Sequence, residues 1–327
     1  MRTIKTWLAT IAVLLCSISA SAHDFEVNGI YYNILPNVYR SVEVTYEGNS
    51  YSSAKYNGNV TIPNSVTYNG LAYSVTAIAE EAFYDCSSLT SMSIPEGVTR
   101  IGTRAFYGCS SLTSISIPEG MTLIGFNAFY GCSSLVSIII PNSVTLIESA
   151  AFSGCTGLAS ISLPSSLTKI WNSTFSGCSN LSSITIPNTV TEIGELAFLG
   201  CRALDNIIIP NSVKYIGQQA FQSCTNLKEI EIPESVTRIN SYVFQYCSAL
   251  TSVTIPNSVT IIDNHAFENC SKLNNVRIPS SVTEIGAMAF AYCTSLTNVN
   301  ISNAKVTSLS DVLEVVQILK LLNFLFL

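Results

Sequence analysis

Three kinds of side chain in this sequence could do chemistry: paired carboxylates, histidines and cysteines. Glu229 and Glu231 are separated by one residue, so one could act as a general acid and the other as a base. Alternate residues of a strand share a face, which places both glutamates in solvent beside Lys228, with no burial to tune one of them as an acid. We therefore interpret them as a solvated charged pair and not as a catalytic pair.

The histidines do not complete an active site. The chain has two, His23 and His265. His265 precedes an Ala-Phe pair at a position that is Arg104 or Asn127 in other repeats, which favours a surface position over a catalytic one. No Gly-x-Ser-x-Gly elbow or phosphate-binding loop occurs. The sequence therefore predicts no enzyme, no catalytic residues, no metal and no cofactor.

Ten of the 11 cysteines recur every 23 residues. They are Cys86, Cys109, Cys132, Cys155, Cys178, Cys201, Cys224, Cys247, Cys270 and Cys293. In an exported protein, ten cysteines would ordinarily suggest five disulfides. One cysteine per repeat, however, sets the side chains in line and parallel, which fits disulfide geometry poorly. We predict a buried, reduced column, and the lack of a Cys-x-x-Cys pattern argues against zinc.

Phenylalanine and leucine share this period. Phe recurs from Phe83 to Phe290, three residues before each cysteine, and Leu recurs from Leu89 to Leu296, three residues after. Each unit reads Leu-x-x-Ile-x-Ile-Pro, then Val-Thr-x-Ile-Gly-x-x-Ala-Phe-x-x-Cys. Fixed self-similarity of this length indicates a stacked repeat array. One unit has too few apolar residues to fold alone, so neighbouring units must share a continuous core.

Each repeat is expected to contribute one strand. The Leu-x-x-Ile-x-Ile segment alternates and is rich in Ile and Thr, which predicts a short strand that the proline ends. Stacked strands would form a long parallel sheet. Asn240 and Asp263 replace glycine in one column, which suggests a left-handed backbone there. The glycines of this column are Gly102, Gly125, Gly194, Gly217 and Gly286.

The outward strand positions form the candidate binding surface. In the first five repeats they carry mostly small polar residues, such as Ser91 and Ser114, whereas later repeats add charged and apolar side chains. Exposed apolar residues beside charges are typical of interaction sites. The hypothetical site consists of Ile139, Asp205, Ile208, Lys228, Glu229, Glu231 and Arg277. A solvated strand surface without a ligand is the alternative.

Composition narrows the classes of partner. The 327 residues are 48% hydrophobic and 11% charged, with a net charge of −6 and no Lys/Arg cluster, which argues against nucleic-acid binding. The mature chain contains no interior run of ~18 apolar residues, so the sequence predicts no membrane span there. Residues 1–22 have the order of a signal peptide: Arg2 and Lys5, an apolar run, then Ala20-Ser21-Ala22. The sequence predicts a secreted or cell-surface protein.

The repeat unit resembles the BspA-type leucine-rich repeat over residues 60–301. This resemblance implies a β-rich, right-handed leucine-rich-repeat solenoid of about ten 23-residue repeats, exported and without a catalytic motif. Residues 25–46 resemble the β-hairpin cap that precedes such repeats. A nine-residue insertion after Pro63 contains Tyr68-Asn69-Gly70-Leu71, which predicts a hairpin-like loop.

These observations lead to one interpretation of the whole chain. Residues 1–22 are the signal peptide, 23–59 an N-terminal β cap, 60–301 the solenoid, and 302–327 a C-terminal capping tail or a truncated end. The expected function, as the family implies, is adhesion to host matrix or bacterial surface proteins. The alternative is capture of glycans or nutrients, for which Tyr107, Tyr130 and Tyr292 are candidates.

Overall fold

The computed structural model of the chain describes residues 23–47 and 56–301. Within these residues the fold is a β-solenoid without helices, which confirms the predicted fold class. The predicted signal peptide, residues 1–22, and the predicted C-terminal cap, residues 302–327, lie outside the described residues.

The N-terminal end of the solenoid is an antiparallel meander. Strands β1 (Phe25–Val27), β2 (Ile30–Ile34) and β3 (Ser41–Thr45) pair in chain order. The β1–β2 connection is Asn28-Gly29, whose positive φ angles of 54° and 78° suit a two-residue hairpin turn. β3 then pairs in parallel with β6 (Leu71–Ile78), which joins the cap to the array.

The insertion before the first full repeat forms a hairpin, as the sequence predicts. Strand β4 (Gly58–Thr61) precedes it and pairs in parallel with β7 (Leu89–Ser93). β5 (Ser65–Tyr68) pairs antiparallel with β6 across the Asn69-Gly70 turn.

The remaining strands alternate between two parallel ladders that run along the solenoid. The predicted Leu-x-x-Ile-x-Ile strands, here called face strands, are β4, β7, β9 (Ser114–Ser116), β11 (Ser137–Ile139), β13 (Ser160–Ser162), β15 (Ser183–Ile184), β18 (Glu229–Glu231), β20 (Ser252–Thr254), β22 (Asn275–Ile278) and β24 (Asn298–Ile301). A second set is β8 (Arg100–Ile101), β10 (Leu123–Ile124), β12 (Leu146–Ile147), β14 (Lys169–Ile170), β16 (Glu192–Ile193), β17 (Tyr215–Ile216), β19 (Arg238–Ile239), β21 (Ile261–Ile262) and β23 (Glu284–Ile285). The sequence analysis missed this second set, because two residues are too short to show alternation.

The core is a column of stacked phenylalanine rings. Ten rings from Phe83 to Phe290 are buried, and successive ring centroids lie 4.9 to 5.9 Å apart with nearly parallel planes in most pairs. Offset aromatic stacking adds to the burial of apolar area. One phenylalanine in each repeat therefore contacts its counterparts on both sides and ties the array together.

The prediction of a left-handed backbone in the glycine column is wrong. These glycines lie outside the left-handed region, and a Cβ atom at any of them would lie 2.4 to 2.8 Å from backbone atoms of the preceding repeat. At these five positions glycine lets the backbones of adjacent repeats stack closely. The left-handed residues come two positions later, just before Ala-Phe, and their φ angles are 53° to 62°. There the N–H groups of residues such as Arg104 and Leu196 donate to carbonyls of the next repeat, which holds an otherwise costly conformation.

Candidate binding face

The face strands direct alternate side chains into the core and into solvent. In β18, Ile230 is buried between Glu229 and Glu231, which are both exposed, and β9, β13 and β20 show the same pattern. This alternation follows from the two-residue period of a strand. The outward columns therefore form one surface, here called the sheet face.

The sheet face is interrupted where a face strand is expected at residues 206–209, here called the Ile208 rung. The ladder of face strands stops at β15 and resumes at β18. Among the described residues, no backbone hydrogen bond joins residues 206–209 to the repeat on either side. The nearest connections are Ala203 N–H to Ser179 O at 3.0 Å and Lys228 N–H to Asp205 O at 3.2 Å. The Ile208 rung thus has unpaired backbone donors and acceptors in the middle of a parallel sheet.

Two clefts border the Ile208 side chain, which is 78% exposed. The first has a volume of about 490 Å³, and its lining includes Ser183, Thr185 and Asn188 of the preceding repeat. The second has a volume of about 230 Å³, and its lining includes Glu229 and Glu231 of the following repeat. Ile208 lines both clefts, so a ligand seated here would meet one apolar side chain with polar groups on either side.

The charges around the clefts are mostly negative. Asp205 and Lys228 form a loose ion pair, with 3.5 Å between Nζ and Oδ2 and both side chains more than half exposed. Exposed pairs of this kind contribute little stability. Among the described residues, neither Glu229 nor Glu231 has an ion-pair or side-chain hydrogen-bond partner. Three carboxylates and one ammonium group therefore surround Ile208, and two of the carboxylates are available to a cationic partner.

The structure brings together five of the seven residues of the hypothetical site and separates the other two. Asp205, Ile208, Lys228, Glu229 and Glu231 lie on two successive repeats. Ile139 lies on the same face three repeats earlier and is 76% exposed, outside both clefts. Arg277 lies two repeats after Glu231 and lines a separate depression with Glu234. The site as a whole stays a hypothesis about this face.

Sequence reasoning missed the loss of strand pairing at the Ile208 rung. The one signal is the run Ile-Ile-Ile-Pro at residues 207–210, which recurs at residues 138–141. There too the ladder is broken on one side, because β11 pairs with β13 but not with β9.

The sheet face offers binding groups and no reaction machinery. Glu229 and Glu231 are exposed on one strand. In the part of the chain that the structure describes, no three or more His, Cys, Asp and Glu side chains are grouped so that they could hold a metal ion. What the arrangement can do chemically is bind through apolar contact, hydrogen bonds and charge.

The cysteines form a buried column, as predicted. All ten from Cys86 to Cys293 are free thiols inside the solenoid. From Cys109 onward, each thiol donates to the carbonyl of the phenylalanine 26 residues earlier, with S···O distances of 3.0 to 3.3 Å. That carbonyl also accepts the N–H of the cysteine in its own repeat, for example Cys86 N–H to Phe83 O at 3.2 Å. Burial raises the pKa of the nine thiols from Cys86 to Cys270, that of Cys178 to about 12.

The tyrosine candidates for glycan capture do not form one ridge. Tyr107 stacks between Tyr84 and Tyr130 with centroids 4.8 and 4.7 Å apart, so its ring faces are covered by its neighbours. Tyr292 belongs to a different column, together with Tyr246. Sugars bind aromatic side chains through the ring face, and stacking leaves mainly ring edges in solvent.

His265 is less exposed than its variable position suggests. Its side chain is 23% exposed, its ring stacks on Tyr242 at 4.7 Å, and Nδ1 lies 2.9 Å from Glu268 Oε2. Glu268 is buried and also accepts a hydrogen bond from Gln245, which in turn accepts one from Gln222. His265 therefore lies at the surface with its ring partly covered, because a chain of polar side chains fixes it against the solenoid.

Comparison with known proteins identifies the repeat. The model of the BspA type leucine-rich repeat region matches residues 76–205 and 197–313, with six copies of the repeat. The chain is similar to a leucine-rich repeat protein from Bacteroides ovatus, with 30% identity, a TM-score of 0.53, and 87% of this chain and 90% of that one covered. A leucine-rich cell surface protein from Faecalibacterium prausnitzii shares 27% identity, with a TM-score of 0.50 and coverage of 87% and 94%.

A third similar structure, the pneumococcal vaccine antigen PcpA, shares only the fold. Its identity is 20%, its TM-score is 0.61, and 88% of each chain is covered. No curated protein matches the sequence. In the described part of the chain, no helix is long and apolar enough to cross a membrane. The family model covers well over half of the sequence, in phase with the stacked phenylalanines and cysteines, and the chain belongs to the BspA-type leucine-rich repeat family.

Proposed function

We propose that the chain is an exported, non-enzymatic binding protein that adheres to host matrix or bacterial surface proteins through its sheet face. The observation that carries this proposal is the Ile208 rung, where an exposed isoleucine lies between two clefts of the sheet face. Binding sites in protein interfaces centre on such apolar anchors within a polar rim.

The relatives and the N-terminal sequence support a location outside the cell. One similar structure is described as a cell surface protein and another as a vaccine antigen. Residues 1–22 have the composition of a signal peptide. In this proposal residues 1–22 direct export, residues 23–59 cap one end of the solenoid of residues 60–301, and residues 302–327 cover the other end.

Glycan or nutrient capture is the second candidate, and the tyrosine column is the observation behind it. At the C-terminal end of this column, the outer face of Tyr130 has no stacked ring in the next repeat, where Ser153 occupies the equivalent position. A single ring face is a small platform compared with the clefts at Ile208, and this favours a protein ligand.

The test compares the exported chain with the variant Ile208→Ser on two supports. One carries purified host matrix proteins and bacterial surface proteins, and the other is a glycan array. We expect binding to at least one protein, weakened about tenfold by Ile208→Ser because the exposed apolar anchor is lost, and no glycan signal. Binding to glycans alone, or protein binding that Ile208→Ser leaves unchanged, would contradict the proposal.

A further inference from the structure

We infer that the Ile208 rung receives an extended protein segment that presents two lysine or arginine residues and one apolar residue to the sheet face, at every second position of the segment. This inference rests on the proposed function, since it names the partner of the same face. Three features of the face support it: unpaired backbone groups, an apolar anchor and uncompensated carboxylates.

The unpaired backbone groups favour an extended polypeptide. Residues 206–209 keep N–H and C=O groups that have no backbone partner in the adjacent repeats. Unpaired strand groups can form hydrogen bonds with another chain, and proteins commonly bind partners as extended peptides.

The core shows how such a segment must lie. Phe198, in the repeat of the Ile208 rung, is 5.5 Å from Phe175 and 5.2 Å from Phe221, within the spacing of the rest of the stack. Adjacent repeats are therefore not spread apart, and a strand cannot insert between them because strand spacing is already about 4.8 Å. The segment must lie over the face, where its side chains can reach the unpaired groups through the two clefts.

Charge selects the side chains of the segment. Glu229 and Glu231 project from the same side of β18, one on each side of buried Ile230. Alternate residues of an extended partner have the same repeat distance, so two cations with one residue between them match this pair. The residue between the cations points to the opposite side, so the apolar residue that contacts Ile208 must lie two residues beyond the cations, on the side that carries them.

Ile139 supplies an internal control for this argument. Its exposure, 76%, matches the 78% of Ile208, and it occupies the equivalent position of its repeat. The rung of Ile139 differs in two respects: β11 is paired on one side, and its outward neighbours Ser137, Ser160 and Ser162 are uncharged. Exposed apolar area alone would make the two isoleucines equivalent, whereas the inference makes only Ile208 important.

The experiment measures binding of fluorescent nine-residue peptides to the exported chain by anisotropy. The lysine–leucine peptide carries two lysines and then a leucine at successive alternate positions, with serine at all the others. The glutamate–leucine peptide has glutamate in place of the two lysines, and the third peptide, of lysine and serine, has serine in place of the leucine. We expect the lysine–leucine peptide to bind most tightly and to weaken as salt rises. We expect about tenfold weaker binding for the variant Ile208→Ser and for the double variant Glu229→Gln/Glu231→Gln.

Two matched variants control for exposure and for net charge. Ile139→Ser removes the same apolar group from a neutral part of the face, and Glu195→Gln removes an exposed carboxylate outside the face. Both should bind the lysine–leucine peptide within about twofold of the wild-type chain. All substituted side chains are exposed, and a thermal melt of each variant checks that the fold is retained.

The outcomes separate this inference from the proposed function. Equal binding of the glutamate–leucine peptide, no peptide binding at all, or no effect of Glu229→Gln/Glu231→Gln would overturn the inference. If protein capture still depended on Ile208 in any of these cases, the proposed function would stand and only the inference about the extended segment would fall. If neither peptide binding nor protein capture depended on Ile208, both would be wrong.

Discussion

Raising the pH above about 9 should unfold the solenoid over a narrow interval, near pH 10 to 11. Burial raises the pKa of nine cysteine thiols above the ordinary value of 9.0, in three cases to about 12. The other six are Cys109, Cys132, Cys155, Cys201, Cys247 and Cys270. These thiols stay protonated in the folded chain but ionise in the unfolded chain. Their contribution to stability is therefore complete below pH ~9 and is lost as the pH rises toward the folded-state pKa values.

The size of this effect follows from the number of thiols. Each contributes about 1.4 kcal/mol per pH unit, so nine lower the free energy of unfolding by about 12 kcal/mol per pH unit if the array unfolds as one unit. A typical domain is stable by only about 5–15 kcal/mol. Urea unfolding at a series of pH values from 8 to 11, followed by circular dichroism, measures the slope.

A triple variant tests whether the thiols cause the slope. Replacing Cys132, Cys155 and Cys178 by alanine removes three of the nine groups and should reduce the slope by about one third. The variant is less stable at pH 7, but the comparison concerns only the dependence on pH. A stability that stays flat from pH 9 to 11 would mean that the cysteines are not buried thiols.

Replacing Phe198 by alanine should destabilise the chain by about 3–5 kcal/mol. Its ring is fully buried and stacks on rings in both adjacent repeats, so the substitution leaves a cavity and removes two aromatic contacts. Each repeat of a solenoid contacts only its neighbours, so the damage should be local. Urea unfolding measures the total loss, and hydrogen exchange shows whether it is concentrated around residues 175–221.

Phe126 provides the matched control, because the same substitution can be made at an exposed phenylalanine. Its side chain is 39% exposed and does not belong to the stacked column. Phe126→Ala should cost less than about 1 kcal/mol. Equal losses at the two positions would show that the ring stack is not what holds the repeats together.

The repeat architecture could be predicted from sequence because its signals are periodic. Phe, Cys and Leu recur in phase over ten units, and a single repeat cannot bury them alone, so stacking follows. The Asn69-Gly70 hairpin could be predicted for a different reason, since few residues other than Asn and Gly suit its turn. In both cases a local pattern is sufficient.

Features that depend on contacts between repeats could not be predicted in this way. Gly217 looks like a turn residue. Its role is instead to leave room for the preceding repeat, because a Cβ atom at position 217 would lie 2.4 Å from the backbone nitrogen of Glu195. The partly buried state of His265 depends on Glu268 and Tyr242, and Tyr242 lies one repeat away. The candidate site also depends on contacts between repeats. The alternation of buried and exposed residues along a strand predicts that Ile208 points outward, but it does not predict the unpaired backbone around Ile208.

Amide hydrogen exchange at the Ile208 rung tests most directly whether the sheet face binds through this break. In the free chain, peptides that cover residues 206–209 should exchange much faster than those that cover Glu229–Glu231, which are paired with β20. A saturating protein ligand or lysine–leucine peptide should slow exchange at residues 206–209 and leave residues 114–116 unchanged. Slow exchange at residues 206–209 in the free chain, or exchange there that no ligand alters, would contradict the proposal that this face binds its partners at the Ile208 rung.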